Sequence, residues 1–538
     1  MPDCLILVER GGARNMDIVA MEFKKAIVTA LKKIRSSYPG AIENFCSPSK
    51  QQSEASTKKL FELSELELSL TSIVLGTSLA LAGVDFAIYD DEDIIDKYHE
   101  QLEAHINSSV KYVCISTTYM TDIKVLKKII RFFKDRNCAI KIVIGGQVLL
   151  VWGENDVEEL DDVFCYCYGD MDHLFGKIIV DLLSARDPGE FLTRTSRNGK
   201  SFYVAKHYTH DLDTTCLPDW RLLNRVNINN YYYSDNKWDS RVHVEERRGC
   251  PNRCAFCSYS TLNKHRQKSP ERILQELISL NKLGYKKVYF IGSEFLMPIS
   301  KSRETLKLII KNKLDLDILC YARIDVLHKN PDVLDLMTEA GVTCVYFGVE
   351  SGDQTILKNM NKNYNLETIP EVVSRLKERD IDIWASFIFG FPGETAKTIA
   401  NTSDFIIRSN FTTLDFHALQ VVPGTPLYIN RDKYNLKLLG NYWFHPTMSL
   451  QDIPVIVKKV FTDIYPRCDS VICNINDHLG KYIPQKKFSE ESLRKIDKCL
   501  HRMIYVELSD AIKDKAGHHL KTWNEMKQYI EYIPGFLL

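Results

Sequence analysis

The chain predicts an α/β protein: a doubly wound, Rossmann-like parallel sheet, then an incomplete (β/α)6 barrel of the TIM type, then a small, mainly helical C-terminal domain. Two patterns and a length predict it. Short β-rich runs alternate with helical patterns up to Leu183, and a second series of six β–α units begins at Val242. At 538 residues the chain exceeds what one ordinary core holds. The divisions are read at 1–183, 184–240, 241–430 and 431–538.

The strands of the first part are read at Leu5–Val8, Phe86–Tyr89, Tyr112–Ser116, Ile140–Ile144 and Val163–Tyr168. The apolar stretch Leu68–Phe86 is interrupted by Ser69, Thr71, Ser72, Gly76, Thr77, Ser78 and Gly83, so it reads as a buried crossover helix rather than a membrane span. Ligands of such sheets lie outside the carboxyl ends of the strands. Here those ends are Ser116-Thr117-Thr118, Gly145-Gly146-Gln147 and Gly169-Asp170, each small, polar or glycine-rich. Residues 184–240 lose periodicity and read as a bridging segment, whose tyrosines Tyr231, Tyr232 and Tyr233 suit packing over a site.

In the second part the strands are read at Val242–Glu246, Lys287–Ile291, Asp317–Ala322, Thr343–Val349, Asp382–Phe389 and Leu414–Val422. Between them run amphipathic stretches such as Pro270–Leu283 and Glu367–Arg379, which are packing surface. Beyond Asn430 come mixed helical segments with Cys468, Cys473 and Cys499 and no internal repeat. Asp172-His173 reads as helix capping and His518-His519 as a solvated pair.

Lysine plus arginine equals aspartate plus glutamate at 70 each, so no whole-chain field draws the protein to nucleic acid or an anionic membrane. The N-terminal apolar run is too short for a signal peptide. Fifteen cysteines, an odd number scattered along the chain, argue against a disulfide framework and for a reducing, cytoplasmic setting.

The chemistry is carried by Arg247-Arg248-Gly249-Cys250-Pro-Asn-Arg-Cys254-Ala-Phe256-Cys257. Gaps of three and two residues let one short loop hold three corners of an iron–sulfur cube and leave the fourth iron open to a small molecule. The alternative is a zinc knuckle, which needs a fourth ligand, and His265 alone lies nearby.

The Cys-x3-Cys-x2-Cys run, with Phe256 before its last cysteine, resembles the signature of the radical S-adenosylmethionine (radical SAM) superfamily. The resemblance extends from about Arg241 to Tyr428 through further motifs in order: Gly292-Ser293-Glu294, Tyr321-Ala-Arg323, Gly348-Val-Glu350-Ser351-Gly352, Gly390-Phe-Pro-Gly-Glu394 and Pro423-Gly-Thr-Pro426. It implies that Cys250, Cys254 and Cys257 ligate a 4Fe-4S cluster. S-adenosylmethionine would chelate the open iron within a site shaped by Phe256, Gly292, Ser293, Glu294, Arg323, Glu350 and Gly390. Reductive cleavage would then yield a 5′-deoxyadenosyl radical, with an electron donor such as flavodoxin or ferredoxin as partner.

In the first part, Ser116, Thr117 and Thr118 with Gly145, Gly146, Gln147 and Gly169 resemble two of three landmarks of a cobalamin-binding domain. The third landmark, which normally supplies a lower histidine to cobalt, is missing: Leu68–Gly83 contains no histidine. The resemblance therefore implies a cobalamin-dependent radical SAM enzyme that methylates an unactivated carbon of a peptide or small natural-product precursor, its cobalt without the usual lower histidine. The alternatives are a radical rearrangement, cyclisation or oxidation with cobalamin non-methylating or absent, methylthiolation of RNA, and a non-catalytic iron–sulfur or zinc protein acting as clamp or sensor. No membrane or nucleic-acid partner is expected.

Overall fold

The computed structural model describes residues 3–8, 70–90, 99–107, 110–118, 123–146, 162–184, 191–197, 200–224, 241–259, 264–439, 442–472 and 490–509, with isolated positions between 23 and 33, at 149 and 160, and between 521 and 525. The first sheet is built from β1 (Cys4–Val8), α1 (Leu70–Leu81), β2 (Phe86–Asp90), α2 (His99–Ile106), β3 (Tyr112–Ser116), α3 (Ile123–Arg136), β4 (Lys141–Gly145), β5 (Val163–Gly169), α4 (Phe175–Leu183), β6 (Leu192–Arg197) and β7 (Lys200–His207). Its order is β2-β1-β3-β4-β5-β7-β6. The chain direction of travel across the sheet reverses between β1 and β3, the topological switch point where doubly wound sheets bind ligands.

Both faces of this sheet are covered, which is why β3 is buried along its whole length. On one face α3 brings Leu126, Ile129, Ile130 and Phe133 at helical spacing against Val113, Ile115 and Ile142. On the other, α1 and α4 pack so closely that a side-chain carbon at Gly176 would lie 2.1 Å from the Ser78 carbonyl. Helix α1 is the crossover between the parallel neighbours β1 and β2, as its broken apolar run predicts. Its hydroxyls are satisfied inside the protein, with Thr77 bonded to the Ile73 carbonyl at 2.7 Å and Ser78 accepting from Gly176 N at 3.0 Å. Among the described residues no helix is long and apolar enough to cross a membrane.

Residues 192–207 differ from the aperiodic reading of 184–240. Strands β6 and β7 form an antiparallel hairpin that extends the first sheet, with β7 parallel to β5. The outermost strand exposes Thr193, Arg194 and Ser196, and an edge strand with one wet side carries little of the apolar alternation that marks a strand in sequence. The tyrosines at 231–233 lie outside the described residues, as do Gln147, Cys473 and the pair His518-His519.

The second sheet comprises β8 (Val242–Val244), β11 (Lys287–Phe290), β12 (Asp317–Tyr321), β13 (Val342–Glu350), β14 (Asp382–Phe389), β15 (Thr413–Ala418) and β19 (Val471–Ile472), all parallel and in that order. A small hairpin, β9 (Arg247–Arg248) with β10 (Arg266–Gln267), brackets the cysteine loop. Strands β8 and β19 are not paired with each other, so the barrel is open. Beyond Asn430 the region read as mainly helical does contain α5 (Ile453–Ile464) and α6 (Glu490–Leu508). It also contains an antiparallel sheet of β16 (Lys437–Leu439), β17 (Tyr442–His445) and β18 (Met448–Ser449), and it supplies β19 to the barrel. A two-residue strand is too short to leave a periodic signal.

One face of every barrel strand is buried under helices: Val244, Val288, Phe290, Ile318, Cys320, Val345, Phe347, Ile383, Phe387 and Leu414 belong to one continuous core. The other face looks into the barrel and carries polar and aromatic residues. Strand carboxyl ends converge on one rim, where barrel enzymes place their chemistry.

Candidate active site

The cysteine loop is tied down from two directions. Ala255 donates to the Met360 carbonyl and accepts from Leu427 N, both at 2.8 Å, while Asn361 Nδ2 bonds the Arg253 carbonyl at 2.6 Å. Within it Asn252 Nδ2 lies 3.5 Å from Cys250 Sγ. The three thiols act on one another: Cys250 and Cys254 oppose ionisation of Cys257, and Cys250 opposes that of Cys254. Burial is the larger cause, pushing the Cys254 thiol above its ordinary range and the Cys257 thiol up to about 11. A bound cation favours the thiolate form that burial opposes at Cys254 and Cys257, which fits these side chains as ligands of an iron cluster. Among the described residues no trio of His, Cys, Asp or Glu closes around a single ion. His265 sits beside Arg247 and Lys301, and burial first, then those charges, lowers its pKa.

Beneath the loop lies a buried network. Glu246 and Arg247 are both fully buried and meet at 3.2 Å. Glu246 Oε2 accepts from Gly292 N at 2.9 Å, and a side-chain carbon at Gly292 would fall 2.1 Å from Glu246 Oε1, so only glycine permits this approach. Arg247 caps the carbonyls of Phe295 and Met297, and Ser293 Oγ bonds the Gly249 carbonyl at 2.8 Å. The Gly292-Ser293-Glu294 turn is thus fastened to the residues just before Cys250. Glu294 itself accepts from Leu296 N at 3.0 Å, and burial raises its carboxyl to about 8 despite Arg247 and Arg323 nearby.

Arg323 forms a two-pronged pair with Asp325 at 2.9 and 3.2 Å. Glu350 adopts φ 72° at a bulge in β13 and pairs with Lys362 at 2.8 Å. Burial is the largest influence and works against the Lys362 charge, but Glu350, Tyr364 and Cys254 together outweigh it and raise the lysine above its ordinary pKa. Gly348 leaves room for this pair, since a side-chain carbon there would lie 2.3 Å from Glu350 Oε1. Lys362, Glu350 and Arg323 all act on Cys254, and Arg323 acts on Glu294. Four of the sequence-predicted positions, Cys254, Glu294, Arg323 and Glu350, are therefore brought together. Phe256 packs half-buried against the barrel core.

Other motif residues serve packing. Ser351 and Gly352 meet Thr402 of the helix Ala396–Ser409, with Gly352 N bonded to Thr402 Oγ1 at 3.0 Å. Gly390 has φ 101°, and the space its missing side chain leaves is taken by the Trp443 ring, 2.2 Å from where a side-chain carbon would sit. Glu394 closes that turn on Gly390 N and Phe391 N, and burial raises its carboxyl to about 8.

At the carboxyl edge of the first sheet, Thr117 N and Oγ1 bond the Gly145 carbonyl at 2.7 and 3.0 Å, and Ser116 Oγ lies 3.2 Å from Thr118 Oγ1. Gly146, at φ 122°, presses against this turn, since a side-chain carbon would fall 2.7 Å from Thr118 N. Gly169 serves a different approach, to the His207 carbonyl of β7 at 2.1 Å from the same imagined atom. The β3 and β4 ends thus form a tight hydroxyl-lined step next to the switch point. Small side chains and hydroxyls there suit a broad, flat ligand, and no histidine of α1 reaches it.

The sequence reading missed what joins this edge to the cysteine loop. Asp170 accepts from Thr209 N at 2.9 Å and from Arg248 at 2.8 Å, and it also pairs with Arg266. Arg248 pairs further with Asp172 and, at 2.7 Å, with Glu245. Asp172, read as helix capping, is instead an ion-pair partner; the capping position of α4 is Leu174, with no side-chain bond. Arg248 and Arg266 stand on the two strands of the hairpin that brackets the loop, and both grip Asp170. The adjacent Arg247-Arg248 was visible, but its partners lie far away in sequence and no spacing rule reaches them.

Residues 247–406 match the model of the Radical SAM superfamily. This chain carries a radical SAM domain. An uncharacterized methyltransferase of Pyrococcus horikoshii is 25% identical over 449 residues, covering 79% of this chain and 95% of the relative. The hopanoid C-2 methylase of Rhodopseudomonas palustris is 30% identical over 193 residues, 34% of this chain and 36% of that protein. In architecture the radical SAM chain resembles TsrM, a radical S-adenosylmethionine methyltransferase from Kitasatospora setae solved with cobalamin and a 4Fe-4S cluster bound: TM-score 0.58, 15% identity, 99% of this chain and 100% of that one. The α/β fold read from the sequence, a doubly wound domain before a partial barrel and a C-terminal part, is the architecture found.

Proposed function

We propose that this radical SAM enzyme is a cobalamin-dependent methyltransferase that acts on an unactivated carbon of a small molecule or peptide in a reducing cytoplasm. The observation that carries the reading is the grip of Arg248 and Arg266 on Asp170, which holds the carboxyl edge of the first sheet against the base of the cysteine loop. A group resting on Ser116–Thr118 and Gly145–Gly146 would then face the barrel rim where Cys254, Glu294, Arg323 and Glu350 meet.

In this reading Cys250, Cys254 and Cys257 hold a 4Fe-4S cluster that supplies one-electron cleavage of S-adenosylmethionine, and a corrin on the first sheet supplies methyl transfer. The chain's own residues position and shield. Arg247 and Glu246 fix the loop from below, and Arg323 and Glu350, each held by a partner of opposite charge, present fixed charges to the carboxylate and amino groups of a sulfonium amino acid. The aromatic and buried surroundings exclude water from a reactive radical. Homologues and structural neighbours named as methyltransferases support the choice of methylation.

The test is purification without oxygen in the presence of hydroxocobalamin, followed by reduction with methyl-labelled S-adenosylmethionine. The reading expects about one corrin per chain, release of 5′-deoxyadenosine, and label in an acceptor. A parent chain that releases 5′-deoxyadenosine yet retains no corrin would contradict the cobalamin-dependent assignment.

A further inference from the structure

We infer that Lys362 is a positioning residue for electron transfer: its ammonium, held beside the cysteine loop, favours the reduced and more negative state of the cluster. This rests on the reading of Cys250, Cys254 and Cys257 as thiolate ligands of a 4Fe-4S cluster and adds a control on its reduction.

The segment Met360-Asn361-Lys362 lies along the loop. The Met360 carbonyl accepts from Ala255 N at 2.8 Å and Asn361 Nδ2 donates to the Arg253 carbonyl at 2.6 Å, so its first two residues are bonded to both chain neighbours of Cys254. Lys362 comes next and is buried. Its backbone N donates to the Leu357 carbonyl at 2.8 Å, and its Nζ donates to the Gly348 carbonyl at 2.6 Å and meets Glu350 Oε1 at 2.8 Å. Gly348 keeps the space open, since a side-chain carbon there would lie 2.9 Å from Lys362 Nζ. A long, flexible side chain is thus fixed at both ends, at a cost in rotamer freedom that a surface lysine does not bear.

An ion pair is electrically silent only at points equally far from its two charges. Burial is the largest influence on the Cys254 thiol, and among the charges Lys362 comes first, ahead of Glu350, with Arg323 acting in the same sense as the lysine. Lys362 also favours the thiolate of Cys257, more weakly than burial and the neighbouring thiols oppose it. The lysine is therefore the end of the pair that the thiols feel more strongly. Tyr364 adds no charge, because burial holds its phenol neutral and its hydroxyl donates to the Val349 carbonyl at 2.6 Å.

Reduction brings one electron from a low-potential one-electron donor, and no bond of the chain forms or breaks. The added negative charge is shared by the irons, the sulfides and the three thiolates. A fixed cation beside those thiolates stabilises it, and net charge around a cluster is among the quantities that set its potential.

The test is a redox titration followed by electron paramagnetic resonance, on the full-length chain with its cluster reconstituted anaerobically and no S-adenosylmethionine added. Lys362→Met is expected to lower the reduced-to-oxidised ratio at a fixed potential at least tenfold, about 59 mV for a one-electron couple. Glu350→Gln is expected to move the midpoint in the opposite direction, and Lys362→Arg, which keeps the charge, to leave it near that of the parent. A pair that served the fold alone would shift the midpoint the same way whichever member is lost. A parent-like midpoint in Lys362→Met, or shifts of one sign in Lys362→Met and Glu350→Gln, would overturn the proposal. Should Lys362→Met fail to fold, Glu350→Gln decides, since a midpoint that it leaves unmoved or lowers is equally contrary. Iron content separates the two claims: a parent chain that takes up no iron defeats the reading of the cysteines and this role with it, whereas a full cluster indifferent to these changes defeats the role of Lys362 alone.

Discussion

Lys362 and Glu350 hold one another with 8% and 7% of their surfaces exposed, between the cysteine loop and the fourth main barrel strand. Removing one partner of such a pair strands the other as an uncompensated buried charge. Lys362→Met is therefore expected to lower unfolding free energy by about 3 kcal/mol in urea melts, and a second change, Glu350→Gln, to recover most of it. Glu394 carries a pH signature of its own. Its folded pKa of about 8 lies above the ordinary 4.5, so the folded chain binds this proton more tightly than the unfolded one. Its contribution to stability is fully present below pH 4.5 and is lost as pH rises toward 8. Glu394→Gln keeps an acceptor for Gly390 N and Phe391 N, so melting temperature followed across that window should decline less steeply than in the parent. At the cluster, Cys254→Ala is expected to abolish release of 5′-deoxyadenosine while the far-ultraviolet circular dichroism stays near that of the parent.

At the scale of elements, what was legible in sequence is what periodicity and local spacing carry. The five parallel strands of the first sheet, the crossover helix and the six main barrel strands each have a run of residues long enough to show their period. The hairpin at 192–207 and the short Val471–Ile472 strand do not, because one lies at a wet edge and the other spans two residues. Glycines were legible as glycines but not in their purposes: Gly292 admits Glu246, Gly348 admits the Glu350–Lys362 pair, and Gly390 admits Trp443. Gly146 is the glycine whose close contact shapes the turn after β3, at the carboxyl edge of the first sheet. Gly146→Ala would force a side-chain carbon to 2.7 Å from Thr118 N at a backbone angle that alanine disfavours. The expected outcome is at least tenfold weaker corrin retention with unchanged cleavage of S-adenosylmethionine, read by visible absorbance and by product release in one sample.

Across the whole molecule the two sheets are joined by Asp170, whose carboxylate is flanked by Arg248 and Arg266; burial opposes its charge, but the two guanidiniums outweigh it and hold its pKa below the usual range. No sequence pattern could name these partners, since their positions are separated by 78 and 96 residues and meet only after both sheets form. Asp170→Asn should loosen the hairpin around the cysteine loop, seen as faster hydrogen exchange at residues 247–248 and 266–267. Cleavage of S-adenosylmethionine should then continue while methyl transfer falls. The central claim, three protein thiolates on a cluster with one iron left for S-adenosylmethionine, is tested most directly by electron paramagnetic resonance of the reduced, anaerobically reconstituted chain. About four irons per chain and a spectrum that changes when S-adenosylmethionine is added are predicted. A spectrum indifferent to S-adenosylmethionine, or a preparation that takes up zinc and no iron, would contradict the account.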